Sequence, residues 1–319
     1  MSVLRVEERE EEGFRALWVT NGPLALTLVP ELGGKIAAWE DRRRGVSWLW
    51  RNPYLPWRRP EPGASYVAAF DLGGWDECFP SVAPGVYPAE PWAGMPLPDH
   101  GELWSQPWAV EAWIEGERLF VRGRVEGRLL PYRFERLLTM EAGRPSAHLR
   151  YRVENRSEHT LYFLWAAHPL FPLERGTRLL VPGPAAGRVA GAVGLSPAAT
   201  TFEWPRLPVA GGEVDLREPD PAGGWAVKVF LRPAASWARL VRPEGTWWEV
   251  RWRGPVTDLG LWINAGGWSG AGTPPYRNLA FEPGIGAPDD LTAAMREWGT
   301  FGLLPPLQEA EWSLTVTVG

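Results

Sequence analysis

Residues 118–155 contain three runs in which apolar residues alternate with polar or small ones: "RLFVRGRVEG" (118–127), "YRFERLLTM" (132–140) and "AHLRYRVEN" (147–155). An alternating pattern places every second side chain on one face of an extended chain, so each run predicts a half-buried β-strand. The runs "ALTLVP" (25–30) and "WSLTVTV" (312–318) show the same pattern. The sequence therefore predicts a fold built mainly from antiparallel strands.

Residues that favour turns separate these runs, at "EAGRP" (141–145) and "NRS" (155–157). The chain has 36 glycines and 33 prolines, which favours many short strands over long helices. One short helix is predicted at "DDLTAAMREWG" (289–299), which has an aspartate cap, an alanine-rich interior and a closing glycine. Residues 182–200, "PGPAAGRVAGAVGLSPAAT", predict a long surface loop.

These patterns together predict an all-β protein. We expect a large antiparallel β-sandwich with very few short helices, and a single domain that spans residues 1–319. No internal repeat of fixed period is visible. Binding sites in such folds lie on a concave sheet face or among the loops at its edge.

Composition and charge argue against several classes of protein. A net charge of −5 gives no basic surface for nucleic acid. No apolar run approaches the roughly 18 residues that would predict a membrane span. The stretch "MSVLRVEEREEEGF" (1–14) is acidic and has no apolar core of a secretory signal. Cys78 is the only cysteine and cannot form an internal disulfide, so we expect a reducing, cytoplasmic location.

Two residue types are used unusually. The chain has 21 tryptophans, and flat aromatic faces suit the C–H faces of sugar rings, although a place in the core is the more common role for any single one. Lys35 and Lys228 are the only lysines, and every other basic residue is arginine. The arginine bias fits either bidentate surface ion pairs or genome composition.

Four short stretches carry the candidates for chemistry: "GGWDECFPS" (73–81), "LPDHGELWSQPW" (97–108), "YFLWAAHPLFP" (162–172) and "NLAFEPGIGAPDDL" (278–291). His100 precedes a glycine, and His168 ends an apolar run and precedes a proline. Glu282 lies between an apolar strand and a rigid turn that starts with Pro283. A carboxylate and an imidazole can divide the base and acid roles near neutral pH. The pair of histidines with Glu282 therefore predicts a site, although each histidine alone would more simply be structural.

The order of these motifs resembles the aldose 1-epimerase (galactose mutarotase-like) family: a Gly-Gly motif, a His-Gly motif, a histidine at a strand end, and a late Glu-Pro. Three further stretches support the resemblance. "LVPELGGKIAAWED" (28–41) is similar to the early strand of the family with its Gly-Gly turn. "LGLWINAGGW" (259–268) resembles the strand that precedes the catalytic glutamate, and "LQEAEWSLTVTV" (307–318) resembles the closing strand.

The resemblance implies a β-supersandwich that interconverts the α and β anomers of a free sugar. It implies that Glu282 takes the proton from the anomeric hydroxyl, that His168 protonates the ring oxygen and that His100 hydrogen-bonds the sugar. The partner would be a monosaccharide or the reducing end of an oligosaccharide, without a cofactor or a metal. The protein would be a monomer or a homodimer.

The residues that bind the sugar are less clearly marked. The family uses an aspartate for sugar hydroxyls, and Asp76 and Asp258 are both candidates for it. Three tryptophans in or beside the matching motifs are candidates for contact with the sugar ring: Trp75, Trp104 and Trp262.

The charge pattern favours an unphosphorylated sugar. Family members that act on hexose 6-phosphates commonly carry an arginine after the His-Gly motif and another near the Gly-Gly motif. Here "HGELW" (100–104) and "GGWDEC" (73–78) have acidic or aromatic residues instead, and an acidic floor repels phosphate. A sugar 6-phosphate mutarotase stays open as an alternative, because the arginines of "RNPYLPWRRP" (51–60) could reach the site.

A non-catalytic carbohydrate-binding protein is the alternative from a different class, because a tryptophan platform binds sugars unaided. A glycosidase needs two carboxylates about 5 to 10 Å apart. Asp76 or Glu77 could partner Glu282 in that role, but the histidines would then have none. A metal site formed by the two histidines and Glu282 has no HxH or HxxxH pair to organise it. Cys78 is a poor nucleophile beside two carboxylates.

Overall fold

The computed structural model describes residues 3–61, 63–270 and 272–319, and over these residues the chain is mostly antiparallel strand. The strands of the first half are β1 (Arg5–Glu11), β2 (Phe14–Thr20), β3 (Leu24–Val29), β4 (Lys35–Asp41), β5 (Val46–Ser47), β6 (Trp75–Cys78), β7 (Gly85–Val86), β8 (Pro96–Leu97), β9 (Ala109–Glu115), β10 (Arg118–Glu126), β11 (Tyr132–Glu141), β12 (Ser146–Asn155) and β13 (Leu161–Phe163).

The strands of the second half are β14 (Trp165–Pro172), β15 (Arg178–Leu180), β16 (Ala186–Val193), β17 (Thr201–Glu203), β18 (Arg206–Val209), β19 (Gly212–Asp215), β20 (Ala226–Arg232), β21 (Trp237–Val241), β22 (Trp247–Arg253), β23 (Asp258–Ala265), β24 (Arg277–Ile285), β25 (Gly302–Leu304) and β26 (Glu309–Val318). The described helical segments are α1 (Tyr66–Ala69), α2 (Leu291–Ala293) and a π-helical turn (Ala294–Trp298).

Two large sheets contain most of these strands. In the described residues, a 14-stranded sheet runs in the order β1-β2-β3-β4-β6-β14-β24-β23-β20-β16-β17-β18-β19, with β5 beside β4. An eight-stranded sheet runs in the order β15-β21-β22-β26-β12-β11-β10-β9. The predicted all-β sandwich with few short helices is therefore confirmed. No helix among the described residues is long and apolar enough to cross a membrane.

The five alternating runs are strands β3, β10, β11, β12 and β26, as predicted. Strands β11 and β12 pair in register from Tyr132↔Asn155 to Met140↔Ala147, with the predicted turn at 141–145 between them. Phe134, Leu138 and Met140 alternate with more exposed residues along β11 and belong to the main hydrophobic core.

The two sheets pack face to face through aromatic side chains. The ring of Trp248 on β22 lies 6.2 Å from that of Trp75 on β6 and 4.7 Å from that of Phe171 on β14. One buried ion pair crosses the same interface, between Glu77 of the larger sheet and Arg136 of the smaller one, at 3.0 Å.

The opposite face of the larger sheet carries a second set of side chains. In a strand, successive side chains point to opposite faces, so Trp75 and Glu77 turn toward the smaller sheet while Asp76 turns away from it. Four further neighbouring strands each direct one such side chain to this outer face: His168 (β14), Glu282 (β24), Trp262 (β23) and Lys228 (β20). Five consecutive strands thus bring five polar or aromatic residues together.

The structure corrects two of the predictions about local structure. Residues 186–193 form strand β16, paired with β20, inside the predicted long loop. Their small side chains do not show the alternation of large apolar and polar residues that marks a strand. The ring of Phe202 takes the space where a side chain of Gly187 would lie, since an added Cβ would be 2.4 Å from it. Glu282 lies within β24, which continues to Ile285, so it does not follow the strand as predicted. The short helix is confirmed, with Asp290 accepting from the Ala293 N–H at 2.7 Å.

Candidate active site

A cavity of about 310 Å³ lies on the outer face of the larger sheet. Its floor is formed by strands β14, β24, β23 and β20, and its walls are completed by α1 and by the segments that carry Asp71, Val82, His100, Trp268 and Asp289. The residues that line it are Tyr66, Val67, Asp71, Val82, His100, His168, Leu170, Lys228, Trp262, Trp268, Glu282 and Asp289. The cavity therefore brings together the three predicted catalytic residues, which are separated by up to 182 positions in the sequence.

Glu282 and His168 face each other on the floor of the cavity. Strands β14 and β24 pair through Leu170↔Ala280 and Ala166↔Gly284. This register places His168 opposite Glu282, and Nε2 of His168 is 3.8 Å from Oε1 of Glu282. Both side chains are buried.

Two polar atoms of this pair have no hydrogen-bond partner among the described residues: Oε1 of Glu282 and Nδ1 of His168. The other carboxylate oxygen of Glu282, Oε2, accepts a hydrogen bond from the Lys228 ammonium. Because buried polar groups are normally satisfied, an unpartnered oxygen at a cavity floor marks a position where a ligand can supply the missing bond.

The electrostatic setting disfavours charge on both members of the pair. Burial raises the pKa of Glu282, and the neighbouring carboxylate of Asp289 adds to this, while Lys228 opposes it. Burial also lowers the pKa of His168 well below its usual value, with further contributions from the positive charges at His100 and Lys228. Both shifts favour the neutral carboxyl of Glu282 and the neutral imidazole of His168 over their charged forms.

His100 is held in an unusual backbone conformation, with φ of +60°. The following glycine is required by close packing, because a Cβ on Gly101 would lie 2.1 Å from the carbonyl oxygen of Phe79. Nδ1 of His100 lies 2.8 Å from Oδ1 of Asp99, and its ring stacks on Tyr66 with 4.1 Å between centroids. The His100 and His168 rings meet edge to face at 5.0 Å.

Asp99 anchors both His100 and helix α1. Its Oδ2 accepts hydrogen bonds from the Ser65 hydroxyl at 2.8 Å and the Val67 N–H at 2.9 Å. Burial opposes ionisation of Asp99, but the hydrogen bonds outweigh it and hold its pKa below the usual value. Asp99 therefore fixes the Nδ1 side of His100, which leaves Nε2 for the cavity.

Asp76, one of the two predicted sugar-binding aspartates, is buried beneath the cavity. Its Oδ2 accepts hydrogen bonds from the Lys35 ammonium and from the Tyr66 hydroxyl, the latter at 2.8 Å. Gly73 is essential to this turn, because a Cβ there would lie 2.2 Å from the Trp50 carbonyl oxygen. Asp76 thus holds Tyr66 in the cavity wall and does not line the cavity itself.

Asp258, the other candidate, does not line the cavity. Its carboxylate lies 3.3 Å from the Arg232 guanidinium and accepts from the Thr257 hydroxyl at 2.8 Å. Asp71, which was not among the predicted candidates, is placed differently. It lines the cavity, its Oδ2 accepts from the Tyr276 hydroxyl, and its buried Oδ1 has no partner among the described residues.

One wall of the cavity is aromatic and contains Trp262, as predicted, together with Trp268. Their rings meet edge to face at 5.9 Å, and Nε1 of Trp262 donates to Oδ1 of Asn278 at 3.2 Å. Trp75 is fully buried between the sheets, because it has the opposite parity to Asp76 on β6, so it cannot contact a ligand here. Trp104 packs against Tyr66 at 5.1 Å and supports the wall from behind.

The described residues place no arginine in the cavity wall. Arg51 pairs with Glu12, Arg59 pairs with Glu31, and the guanidinium of Arg58 lies 4.6 Å from the centre of the Phe70 ring. Within the described part of the chain, no group of three or more His, Cys, Asp or Glu side chains is arranged to hold a metal ion.

Five polar or aromatic lining residues lay outside the sequence-based prediction: Tyr66, Asp71, Lys228, Trp268 and Asp289. Lys228 did carry a signal, since it is one of only two lysines in the chain. Asp71 lies two residues before the Gly-Gly motif, and Asp289 lies in the turn after Pro288. Their positions on the cavity wall depend on contacts between distant segments, which sequence spacing does not reveal.

No protein-family model matches this sequence, and no curated protein matches it. Solved structures do match. A candidate aldose 1-epimerase from Klebsiella pneumoniae has a TM-score of 0.70 at 17% identity, covering 98% of this chain and 83% of that one. A galactose mutarotase-like protein from Clostridium acetobutylicum has a TM-score of 0.68 at 11% identity, covering 100% and 99%. The Slr1438 protein from Synechocystis sp. PCC 6803 has a TM-score of 0.66 at 17% identity, covering 99% and 96%.

These likenesses extend over almost the whole chain, so the chain has the fold of the galactose mutarotase-like proteins. The resemblance predicted from the motifs is confirmed at the level of the fold. Identities of 11 to 17% do not transfer an activity, because one fold can support many functions. The function has to be argued from the site.

Proposed function

We propose that this protein is an aldose 1-epimerase that interconverts the α and β anomers of a free, unphosphorylated sugar. The observation that carries the proposal is the facing pair on the cavity floor: Oε1 of Glu282 has no hydrogen-bond partner in the described part of the chain and lies 3.8 Å from Nε2 of His168. A carboxylate beside an imidazole supplies the base and the acid that ring opening needs.

In the reaction, Oε1 of Glu282 takes the proton from the hydroxyl on the anomeric carbon. The bond between that carbon and the ring oxygen breaks as the carbonyl forms, and the ring oxygen takes a proton from His168. Rotation about the C1–C2 bond followed by the reverse transfers closes the ring as the other anomer. Concerted transfer avoids a free alkoxide, and each positioned group contributes about 10² to 10⁴-fold.

The reactive form of the pair has Glu282 ionised and the single proton on His168. Because burial raises the pKa of Glu282 and lowers that of His168, this ionised form needs other contacts to stabilise it, and the hydrogen bond from Lys228 stabilises the carboxylate. The rate should fall in acid, where the pair carries two protons, and in base, where it carries none.

The shape of the cavity fits one sugar ring. A volume of about 310 Å³ is at the small end of the range for small-molecule sites. Trp262 and Trp268 offer apolar surfaces for the C–H faces of a ring, and Oδ1 of Asp71, which has no partner among the residues that the structure describes, can accept from a sugar hydroxyl. His100 can bond a further hydroxyl through Nε2.

The charges in the wall favour a neutral sugar over a phosphate ester. Three carboxylates line the cavity: Asp71, Glu282 and Asp289. Lys228, the lysine among the described lining residues, already contacts two of them, Glu282 and, at 3.4 Å, Asp289. A phosphate would meet this acidic surface without the bidentate arginine that usually binds it.

Saturation-transfer NMR of anomer exchange tests the proposal. The purified protein is added to a panel of neutral aldoses and to the matching 6-phosphates. We expect faster exchange for at least one neutral sugar and little acceleration for its 6-phosphate. Acceleration restricted to phosphates would contradict the substrate class.

The aromatic wall also favours a carbohydrate-binding protein without activity. Chemical-shift changes that report binding, with no acceleration on any sugar, would support that alternative.

A further inference from the structure

Lys228 makes the closest polar contact with the proposed base. Its ammonium donates to Oε2 of Glu282, and among the described residues this is the hydrogen bond that the Glu282 carboxylate accepts. The same ammonium lies 3.4 Å from Oδ1 of Asp289. Lys228 is on β20, separated from β24 by β23, so it reaches diagonally across one strand.

The intervening strand leaves room for this contact at Gly260. Gly260 pairs with Phe230 on one side and with Glu282 on the other. A Cβ added to Gly260 would lie 3.2 Å from Oε2 of Glu282, closer than most Cβ contacts. The missing side chain therefore lets the ammonium and the carboxylate meet above the sheet.

The use of lysine here contrasts with the rest of the chain, where arginine is the usual cation. The other lysine, Lys35, is also buried and also holds a carboxylate beside the cavity, that of Asp76. A compact ammonium fits a confined position that a planar guanidinium would overfill. Both lysines thus occupy confined positions that suit the smaller cationic group.

The ammonium is not set up to act as a nucleophile. Burial favours the neutral amine, but the carboxylates of Asp289 and Glu282 outweigh it and raise the pKa of Lys228 above its usual value. The lysine stays protonated and cannot form an imine with the open-chain aldehyde.

We propose that Lys228 is a positioning residue for the base: its ammonium holds Oε2 of Glu282 and leaves Oε1, which faces His168, as the oxygen that accepts the anomeric proton. The inference rests on the proposed function for the role of Glu282. By favouring the ionised carboxylate, Lys228 keeps Glu282 in the form that can accept the anomeric proton. Asp289 has the opposite effect, because it competes for the ammonium and repels the carboxylate.

The charged and titratable groups that face Glu282 come from every element around it: Lys228 on β20, His168 on β14, Cys78 on β6, His100 in the loop before β9 and Asp289 after β24. Lys228 is the permanent cation in this set, and its contact is direct. Its removal should therefore be felt more strongly than that of any neighbour.

The test measures kcat/KM for anomer exchange against pH in wild type, Lys228→Met, Lys228→Arg and Asp289→Asn. Methionine keeps the apolar stem and removes the charge. We expect Lys228→Met to move the acidic limb of the plot of kcat/KM against pH to higher pH by about 1 to 3 units, with a lower kcat and a similar KM. Lys228→Arg keeps the positive charge but overfills the position, so it should lower kcat while the acidic limb stays near that of wild type, and Asp289→Asn should move the limb to lower pH. An acidic limb identical in wild type and Lys228→Met would overturn the proposal.

A second readout separates this inference from the proposed function. If wild type accelerates exchange of no sugar, the proposed function fails. Infrared titration of carbon-13-labelled glutamate then follows the Glu282 carboxyl directly, with the band identified by its loss in Glu282→Gln. A higher midpoint in Lys228→Met, in a variant that retains its circular dichroism spectrum, supports the placement of Lys228. An unchanged midpoint contradicts it.

Discussion

His168 and Glu282 occupy facing positions on adjacent strands, and a proline directly follows each of them. Pro169 and Pro283 have no N–H, so they interrupt the hydrogen-bond ladder between β14 and β24 beside the pair, where the register passes from Ala166↔Gly284 to Leu170↔Ala280. Their fixed φ angles also stiffen the backbone that carries the two side chains. The distance of 3.8 Å between Nε2 and Oε1 is thus set by two rigid strands, which suits groups that exchange a proton through a ligand.

Replacement of His168 should remove the acid while preserving the site. We expect His168→Gln to lower kcat by about 10² to 10⁴-fold, with a small change in KM. The measurement is the rate of anomer exchange at saturating sugar. His148→Gln is the matched control, because His148 is on β12 of the other sheet and should keep wild-type activity. A His168→Gln enzyme with wild-type kcat would remove the residue from the mechanism.

Asp71 should contribute to binding more than to the chemical step. Its Oδ1 is buried and has no hydrogen-bond partner within the described ranges, while Tyr276 holds Oδ2. We expect Asp71→Asn to raise KM by about 10 to 150-fold, equivalent to about 1.5 to 3 kcal/mol for a hydrogen bond to a charged group. Tyr276→Phe should raise KM less, because it affects the orientation of Asp71 alone. A fall in kcat at constant KM would assign Asp71 to the chemistry instead.

Gly260 should be intolerant of even one methyl group. Gly260→Ala would place a Cβ 3.2 Å from both Cβ and Oε2 of Glu282, displacing the carboxylate by a few tenths of an ångström. We expect kcat to fall about tenfold, with little change in the unfolding temperature. Gly191→Ala on β16 of the same sheet is the control, because nothing lies within 4 Å of its added Cβ. Equal activity of both variants would show that the carboxylate tolerates movement.

The ion pair between the sheets should matter for stability. Arg136 lies 3.0 Å from Glu77, and both side chains are buried. Arg136→Met would leave a buried carboxylate without its counter-charge, so we expect a loss of about 3 to 5 kcal/mol in the free energy of unfolding by urea. Arg133→Met on the same strand removes an exposed pair with Glu126 and should cost at most about 1 kcal/mol. Similar losses for the two variants would contradict a structural role for the buried pair.

Alternation in the sequence was enough to predict the strands that have one face in the core. It failed at β16, where Ala and Gly stand in place of larger apolar residues and the ring of Phe202 on the next strand fills the space. The motif order identified Glu282, His168 and His100, because each is followed by a residue with restricted or unusual backbone geometry. That local signal survives in the sequence alone.

The alternation of side chains between the two faces of a strand could have corrected one prediction. Trp75 and Asp76 are consecutive residues of one strand, so they cannot both face the cavity side of the sheet. The choice of Asp71 over Asp76 needed the structure, because Asp71 lines the cavity while Asp76 does not and has its Oδ2 held by Lys35 and Tyr66. The role of Lys228 likewise depends on the order of strands in the sheet, which is a long-range property.

Anomer exchange in Glu282→Gln compared with wild type tests the central claim most directly. The amide keeps the shape of the side chain and cannot accept the anomeric proton. Saturation transfer on the best neutral sugar is measured beside Glu203→Gln, which alters an exposed residue on β17 of the same sheet. The account predicts that Glu282→Gln still binds the sugar but exchanges anomers at least about 10²-fold more slowly, while Glu203→Gln matches wild type. Wild-type exchange in Glu282→Gln would contradict it.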